Sequence, residues 1–302
     1  MNPSNYSAIS LFGLEMNPDR AITIFGFDIY YYGIIIAFGL VLAVLYGWKR
    51  CRQFGFTQDD LTDGVLWIVP ISVICARLYY CIFKWSSYKD NLLEIFAFRD
   101  GGLAIYGGVI AAAISVVVFC RIKKIKVGAV LDLVALGFLI GQSIGRWGNF
   151  FNREAVGAET DIFMKMGLWH KYFNRWDYFH PTFLYESLWN AAGFVLLHFL
   201  SKKRKYDGQI ALGYAAWYGL GRTFIEGLRM DSLYLDDFRV SQLVAALSCF
   251  AAVAVLMFMS FRSHDPAKLQ VNIFAAKEAA KAAEEAKEEE ELEETNETEE
   301  TE

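Results

Sequence analysis

"VGAVLDLVALGFLIGQSI" spans Val127–Ile144, and "GRWGNFFNREAVG" follows without a break at Gly145–Gly157. The first stretch is nearly free of charge. With its continuation it reaches the ~20 apolar residues that a helix needs to cross a bilayer. The second stretch brings an arginine, two asparagines, another arginine and a glutamate to the place where such a helix ends. The apolar run decides the fold class, which is an all-α, polytopic membrane protein. Two explanations stand for the polar ending. Helix ends are wet and charges there anchor the interface, or these groups form a site for a polar head group.

Composition agrees with a membrane protein. The chain has 302 residues, 55% of them hydrophobic and 16% aromatic; a soluble domain is usually about 45–50% apolar. The net charge of −5 is set largely by one tail, "KEAAKAAEEAKEEEELEETNETEETE", which begins at Lys277. Such a run cannot bury a core and is read as solvated and mostly disordered. The cysteines Cys51, Cys75, Cys81, Cys120 and Cys249 show no CxxC spacing, and their odd number excludes full pairing within one chain. They read as buried free thiols. The first residues lack the basic region, short apolar core and small-residue cleavage site of a secretory signal, so the first apolar helix is expected to target the chain and stay.

Seven candidate spans run at roughly 28–48, 64–83, 103–120, 127–146, 182–200, 209–228 and 240–261. The second contains Pro70 and Arg77. Lys49, Arg50 and Arg52 follow span one; Arg121, Lys123, Lys124 and Lys126 follow span three; Lys202, Lys203, Arg204 and Lys205 follow span five. These are alternate loops, and clustered Lys and Arg mark the cytoplasmic side. The N-terminus is then outside and the C-terminus cytoplasmic. Residues 1–27 form an outer-face segment, 28–262 a seven-helix membrane domain, and 263–302 an acidic cytoplasmic tail.

This orientation places Tyr32, Arg77, Tyr106, Arg146, Asn149, His180, Tyr185, Glu186, Arg222, Glu226 and Arg229 toward the outer ends of six helices. Anchoring charges alone would populate both faces, so the pattern predicts one shared cavity near the outer leaflet. Tyr218, Arg222, Glu226 and Arg229 share one helix face. Arg222 and Glu226 are spaced for an internal ion pair, yet charges inside a membrane helix usually face a cavity or a partner. Gly137, Gly141, Gly145 and Gly148 form a stripe that lets another helix approach, and Gly107, Gly108 and Ala111–Ala113 form a similar run. The aromatic segment around Trp169, Tyr172, Phe173, Trp176 and Tyr178 suits the outer interface, as an anchoring belt or as a lid. Arginines facing a cavity suit phosphate, which a guanidinium fork grips bidentately. No HExxH, zinc spacing, GxSxG or P-loop pattern occurs, so no metal or cofactor is expected. The last span has no lysine, which excludes a retinal Schiff base there.

"GRWGNFFNREAVG" closely resembles the signature of phosphatidylglycerol–prolipoprotein diacylglyceryl transferases. "HPTFLYES" from His180, "YGLGRTFIEGLR" from Tyr218 and "YYYGIIIAFG" from Tyr30 are similar to further elements of that family, and the likeness covers roughly residues 20–262. The resemblance implies a seven-helix enzyme of the bacterial cytoplasmic (inner) membrane. Its partners would be phosphatidylglycerol, prolipoprotein signal peptides with a lipobox cysteine, and membrane lipids, with no nucleic acid. It would move the diacylglyceryl group onto the cysteine thiol, form a thioether and release glycerol phosphate.

By motif, Arg146 and Arg222 would hold the phosphate and stabilise it as it leaves. Asn149 and Glu154 would orient the head group or the thiol. Tyr32, Glu226, Arg229, Gly157 and Tyr185 would line the substrate site, and Arg77, in "ARLYY", is a further substrate-binding candidate. Tyr106 is counted as catalytic by its place in the motif. Many family members carry histidine there, and phenols in general are far weaker bases than imidazole near neutrality. The alternative to the enzyme is a transporter or channel for an anionic solute, with the arginines as its selectivity ring.

Overall fold

The computed structural model describes residues 5–97, 101–230, 234–235 and 238–299. Six helices among them are long and apolar enough to cross a membrane, which makes this a polytopic membrane protein. They are α1 (Tyr31–Arg50), α2 (Gln58–Phe83), α3 (Ile105–Lys123), α4 (Val127–Asn152), α5 (Thr182–Ser201) and α7 (Val240–Ser260). The remaining expected span, α6 (Gln209–Leu228), forms as a helix but is not among the six. Arg222, Glu226, its glycines and its tyrosines dilute its apolar character. A final helix, α8 (Gln270–Glu299), occupies most of the tail read from the sequence as mostly disordered, and its residues from Ala275 on are exposed wherever described.

Two boundaries differ from expectation for local reasons. Helix α2 starts at Gln58 because Thr57 caps it: its hydroxyl accepts from the Asp60 N–H at 3.0 Å, and its own N–H donates to the Asp60 carboxylate at 3.1 Å. Helix α4 continues past Arg146 to Asn152, so Arg146 and Asn149 lie within its last two turns. Arg153 then ends it in the left-handed region at φ 57°.

By contacts the chain divides into two compact units. The first comprises Met1–Gly47, Leu131–Arg204 and Gly208–Ser263; the second comprises Trp48–Val130, Lys205–Asp207 and His264–Glu302.

The first unit is not purely helical, which corrects the all-α expectation. β1 (Tyr6–Leu11), β2 (Leu14–Met16), β5 (Met166–His170) and β6 (Arg175–Phe179) form an antiparallel sheet in the order β2-β1-β5-β6. Ile9 pairs with Leu168 and Leu11 with Met166, after a bulge that follows Tyr6. These side chains share a core with Phe179, with Phe150 and Val156 near the end of α4, and with Phe183 and Leu184 at the start of α5. The aromatic segment expected as a belt or lid is thus a hairpin on a hydrophobic core. Two short ribbons complete the strands, β3 (Ala21–Ile24) with β4 (Phe27–Tyr30), and β7 (Tyr234–Leu235) with β8 (Phe238–Arg239).

The glycine stripe of α4 packs as expected. Gly137 faces Ala43, Gly39 faces Gly141, Gly145 faces Ile36, and a methyl at Gly148 would stand 2.5 Å from the Tyr32 ring. Helices α1 and α4 therefore touch almost backbone to backbone. In the second unit, a methyl at Gly107 would overlap Tyr79 Cβ and stand 2.7 Å from Cys75 O of α2, while one at Gly108 would meet Ala76 at an ordinary 3.5 Å. The outer faces of these helices stay apolar; Phe250 of α7 is 80% exposed, which suits hydrocarbon and not water.

Candidate active site

Three helix ends in the first unit carry the expected charges, and the structure joins them into one row. Glu186, in the first two turns of α5, is 4% exposed. One of its oxygens is paired with Arg146 Nε and the other with Arg222 Nη1. Arg222 Nη2 in turn pairs with Glu226 at 2.6 Å, and Arg229 Nε stands 3.9 Å from the same Glu226 oxygen. Glu226 is 2% exposed. The i, i+4 pair anticipated from spacing forms, but as one link in a row of alternating charge. Buried charges persist only when paired in this way.

Arg146 is held on one edge only. Its Nε faces Glu186, and neither terminal nitrogen has a hydrogen-bond partner among the described residues. A guanidinium oriented by a buried carboxylate and open at its fork is suited to an anion.

The neighbouring contacts explain why the row assembles. Ser143 Oγ and Ser187 Oγ each donate to the other's backbone carbonyl, at 2.9 and 2.7 Å, tying α4 to α5. Trp189 of α5 and Trp217 of α6 stack with centroids 4.4 Å apart. At the other end of α6, Asp132, fully buried in α4, accepts from the N–H groups of Gly208, Ile210 and Ala211 at 2.8–2.9 Å. It satisfies the open N–H groups at that helix start from outside.

Asn149 and Asn152 both donate to Glu154 Oε1 at 3.0 Å. The two asparagines thus hold the carboxylate at the end of α4. Gly157 donates its N–H to the His180 carbonyl at 2.9 Å, and Ala158 donates to Leu228 O at 2.8 Å. A Cβ at Gly157 would stand 2.7 Å from that of His180 and 2.9 Å from Leu228 O, so only glycine fits where the loop crosses the ends of α5 and α6. Tyr185 shares a hydrogen bond of 3.2 Å with His180 Nδ1.

Comparison with known proteins now bears on this geometry. The sequence model of the family described as prolipoprotein diacylglyceryl transferase matches residues 19–258. A phosphatidylglycerol–prolipoprotein diacylglyceryl transferase of Listeria monocytogenes serotype 4a is 41% identical over 260 residues, covering 84% of this chain and 94% of the relative. Proteins of the same name are 40% identical in Clostridioides difficile (81% and 96% covered) and 42% identical in Enterococcus faecalis (78% and 88% covered). The chain belongs to the prolipoprotein diacylglyceryl transferase family. Membership favours the transferase over the anion transporter or channel.

Two expected site residues of this family member lie in the second unit. Arg77 is 2% exposed and donates to several main-chain oxygens, among them Nε to Ile95 O at 2.9 Å, Nη1 to Gly101 O and Gly102 O at 2.6 and 3.1 Å, and Nη2 to Glu94 O at 2.7 Å. The Tyr88 ring lies 5.4 Å from its guanidinium carbon. Its visible work is to hold the segment between α2 and α3. Tyr106 stands in the first turn of α3 and is 69% exposed.

Glu186 was named in the sequence only as a group near the outer level, yet it bridges both candidate catalytic arginines of this transferase family member. Its signal was a carboxylate in the first turns of an apolar helix, a placement that is costly without cationic partners.

Proposed function

We propose that this chain moves the diacylglyceryl group of phosphatidylglycerol onto the thiol of a lipobox cysteine in a prolipoprotein. A thioether forms and glycerol phosphate is released. We place the enzyme in a bacterial cytoplasmic membrane with seven crossings, the N-terminus outside and the C-terminus in the cytoplasm. Positive charge in alternate loops supports that orientation.

The observation that carries this reading is Arg146, whose fork is open while Glu186 holds its Nε. The thiolate sulfur attacks the diacylglyceryl carbon that bears the phosphate oxygen. The C–O bond breaks, and its electron pair stays with glycerol phosphate; the thiol proton passes to phosphate or water. Negative charge grows on the departing phosphate, where preorganised guanidinium groups stabilise it most. Arg146 and Arg222 have this role. Glu186 and Glu226 hold them in place, Arg229 extends the cationic edge, and Asn149 with Glu154 orients the head group or the thiol. Tyr32, Gly157 and Tyr185 shape the walls. Arg77 acts through the segment it clamps. Tyr106 is assigned a hydrogen-bonding role from its motif position alone.

The test is incubation of the purified protein with phosphatidylglycerol and a lipobox peptide, read by mass spectrometry and a glycerol phosphate assay, with no ion gradient. Peptide lipidation with matching glycerol phosphate is expected. It should persist when Cys51, Cys75, Cys81, Cys120 and Cys249, all free in the structure, are replaced together. Absence of product from the folded protein, or a lipid adduct on one of those cysteines during turnover, overturns the reading.

A further inference from the structure

The β3–β4 ribbon of the first unit has an apolar face with no core beneath it. Its register pairs Ala21 with Tyr30, Ile22 with Ile29, Thr23 with Asp28 and Ile24 with Phe27. Paired residues share a face and successive pairs alternate, so Ile22, Ile24 and Ile29 lie on one side and Thr23 and Asp28 on the other. The polar side is closed on itself, because the Thr23 hydroxyl donates to the Asp28 carboxylate at 2.6 Å. The apolar side is open. Ile22, Ile24 and Ile29 are each at least 40% exposed, and Phe25 at the tip is 96% exposed.

The β1–β2 hairpin shows what such a face requires. It turns on the same two residue types, Phe12 and Gly13 with φ 52° and 81°, against Phe25 and Gly26 with φ 52° and 79°. Positive φ at both central residues matches the twist of a two-residue hairpin and favours asparagine, aspartate or glycine at the first of them. Phenylalanine is kept there at a conformational cost. In β1–β2 the alternate residues Ile9 and Leu11 are buried in the core shared with α4 and α5. In β3–β4 every residue after Ala21 is exposed. A lone two-stranded ribbon is marginal in water at best, so this face needs a cover that the described residues do not supply.

We propose that the cover is the bilayer itself: the ribbon lies with Ile22, Ile24, Phe25 and Ile29 sunk into the lipid interface and with Thr23 and Asp28 turned to water. Continuity with a membrane helix carries this. β4 ends at Tyr30, and α1, one of the helices apolar enough to span, begins at Tyr31 with no linker. The Tyr31 N–H donates to Arg20 O at 3.0 Å and closes the base of the ribbon on the helix. Strands of four residues reach about 13 Å, so no part of the ribbon stands much farther than that from the end of α1. Ile34, Ile36 and Phe38 of α1 are exposed as well, which makes the patch continuous with a surface suited to hydrocarbon. Asp28 is the only Asp, Glu, Lys, Arg or His between Ala21 and Tyr30, and it lies on the opposite side. The ribbon then fixes the depth at which α1 starts, where Tyr32 rests against Gly148 of α4. Which leaflet it enters rests on the orientation proposed above; burial in lipid does not.

The experiment is spin-label accessibility on the full chain in nanodiscs of phosphatidylglycerol and phosphatidylcholine. The native cysteines, all free, are replaced, and Thr23→Cys, Ile24→Cys or Phe25→Cys is introduced singly and labelled. Collisions with oxygen, which concentrates in hydrocarbon, and with a water-soluble nickel chelate are read without peptide. The labels in Ile24→Cys and Phe25→Cys should favour oxygen and lose nickel access, at about 5–10 Å into the head-group boundary, the depth of an interfacial amphipathic element. The label in Thr23→Cys should show the reverse. Ile24→Cys keeps Phe25 and Gly26, so it reports even where Phe25→Cys alters the turn. Nickel access in Ile24→Cys equal to that in Thr23→Cys overturns the proposal. So does low access to both reagents in Ile24→Cys, which would mark a protein cover such as a second copy. Protection that appears only on adding a lipobox peptide overturns it too, by assigning the face to that peptide. Failure of peptide lipidation with the lipid contact intact would instead count against the transferase reading alone.

Discussion

The indoles of Trp189 and Trp217 lie stacked at 18°, and each N–H donates to the other's main-chain carbonyl at 2.9 Å. This reciprocal contact sets the approach of α5 and α6. It is possible only because Gly193 and Gly221 carry no side chain; a methyl at either would overlap the facing indole. Glu186 and Arg222 sit within two turns of it, on the same two helices. Gly221→Ala should therefore act on the ion pairs as well as on packing. Overpacking costs about 1–3 kcal/mol. The variant should melt earlier in detergent and lose most lipid transfer, and Gly193→Ala should do the same. Wild-type melting and turnover in Gly221→Ala would show that the helices are not held by this contact.

Arg146→Ala and Arg222→Ala should each abolish diacylglyceryl transfer while the protein stays inserted and folded. Lysine should rescue poorly, since an ammonium offers one point charge and no fork. Glu186→Gln should lower the rate by tenfold or more, because the two guanidiniums would lose their shared carboxylate. Peptide lipidation by purified variants, normalised to folded protein, measures all three. Near wild-type turnover by Arg222→Ala would remove that residue from the mechanism.

Much of this was legible in the sequence. Apolar runs gave the long helices, since crossing hydrocarbon leaves few other options. The stripe at Gly137, Gly141, Gly145 and Gly148 announced a close helix contact, and the spacing of Arg222 and Glu226 announced their pair. Other features were hidden because they join distant stretches. β1 pairs with β5 across more than a hundred residues, and its bulge breaks the alternation that marks a strand. Glu186 became a bridge only once α4, α5 and α6 were adjacent. The clamp that Arg77 makes was hidden because main-chain carbonyls leave no trace in a sequence. Gln270 gave no signal at all.

Gln270 divides the tail. It is 4% exposed, accepts from the Lys126 N–H at 3.2 Å, donates Nε2 to Gly55 O at 3.0 Å, and donates its own N–H to Asp207 at 2.9 Å. Truncation from Lys277 should leave activity and melting unchanged. Truncation before Gln270, or Gln270→Ala, should lower the melting temperature, as each buried group left unpaired costs about 1–3 kcal/mol. Equal melting of the two truncations would show that this anchor carries no stability.

Tyr106→Phe should slow transfer about tenfold, the loss of one hydrogen bond to a charged partner, and Tyr106→His should remain active. A thiol with an ordinary pKa near 8.5 supplies some thiolate at neutrality, and nearby guanidiniums increase it, so a strong base is not required. The rate of Tyr106→Phe against pH decides the matter. Inactivity at neutral pH with recovery above the thiol's own pKa would make Tyr106 the base.

The alternation Arg146–Glu186–Arg222–Glu226–Arg229 ends on a guanidinium at either side. On the proposed function, a lipid phosphodiester would enter as a monoanion, and cleavage would leave a phosphomonoester that can lose a further proton. A positive potential holds a dianion more strongly than a monoanion, so the product would leave this row most readily while it still carries that proton.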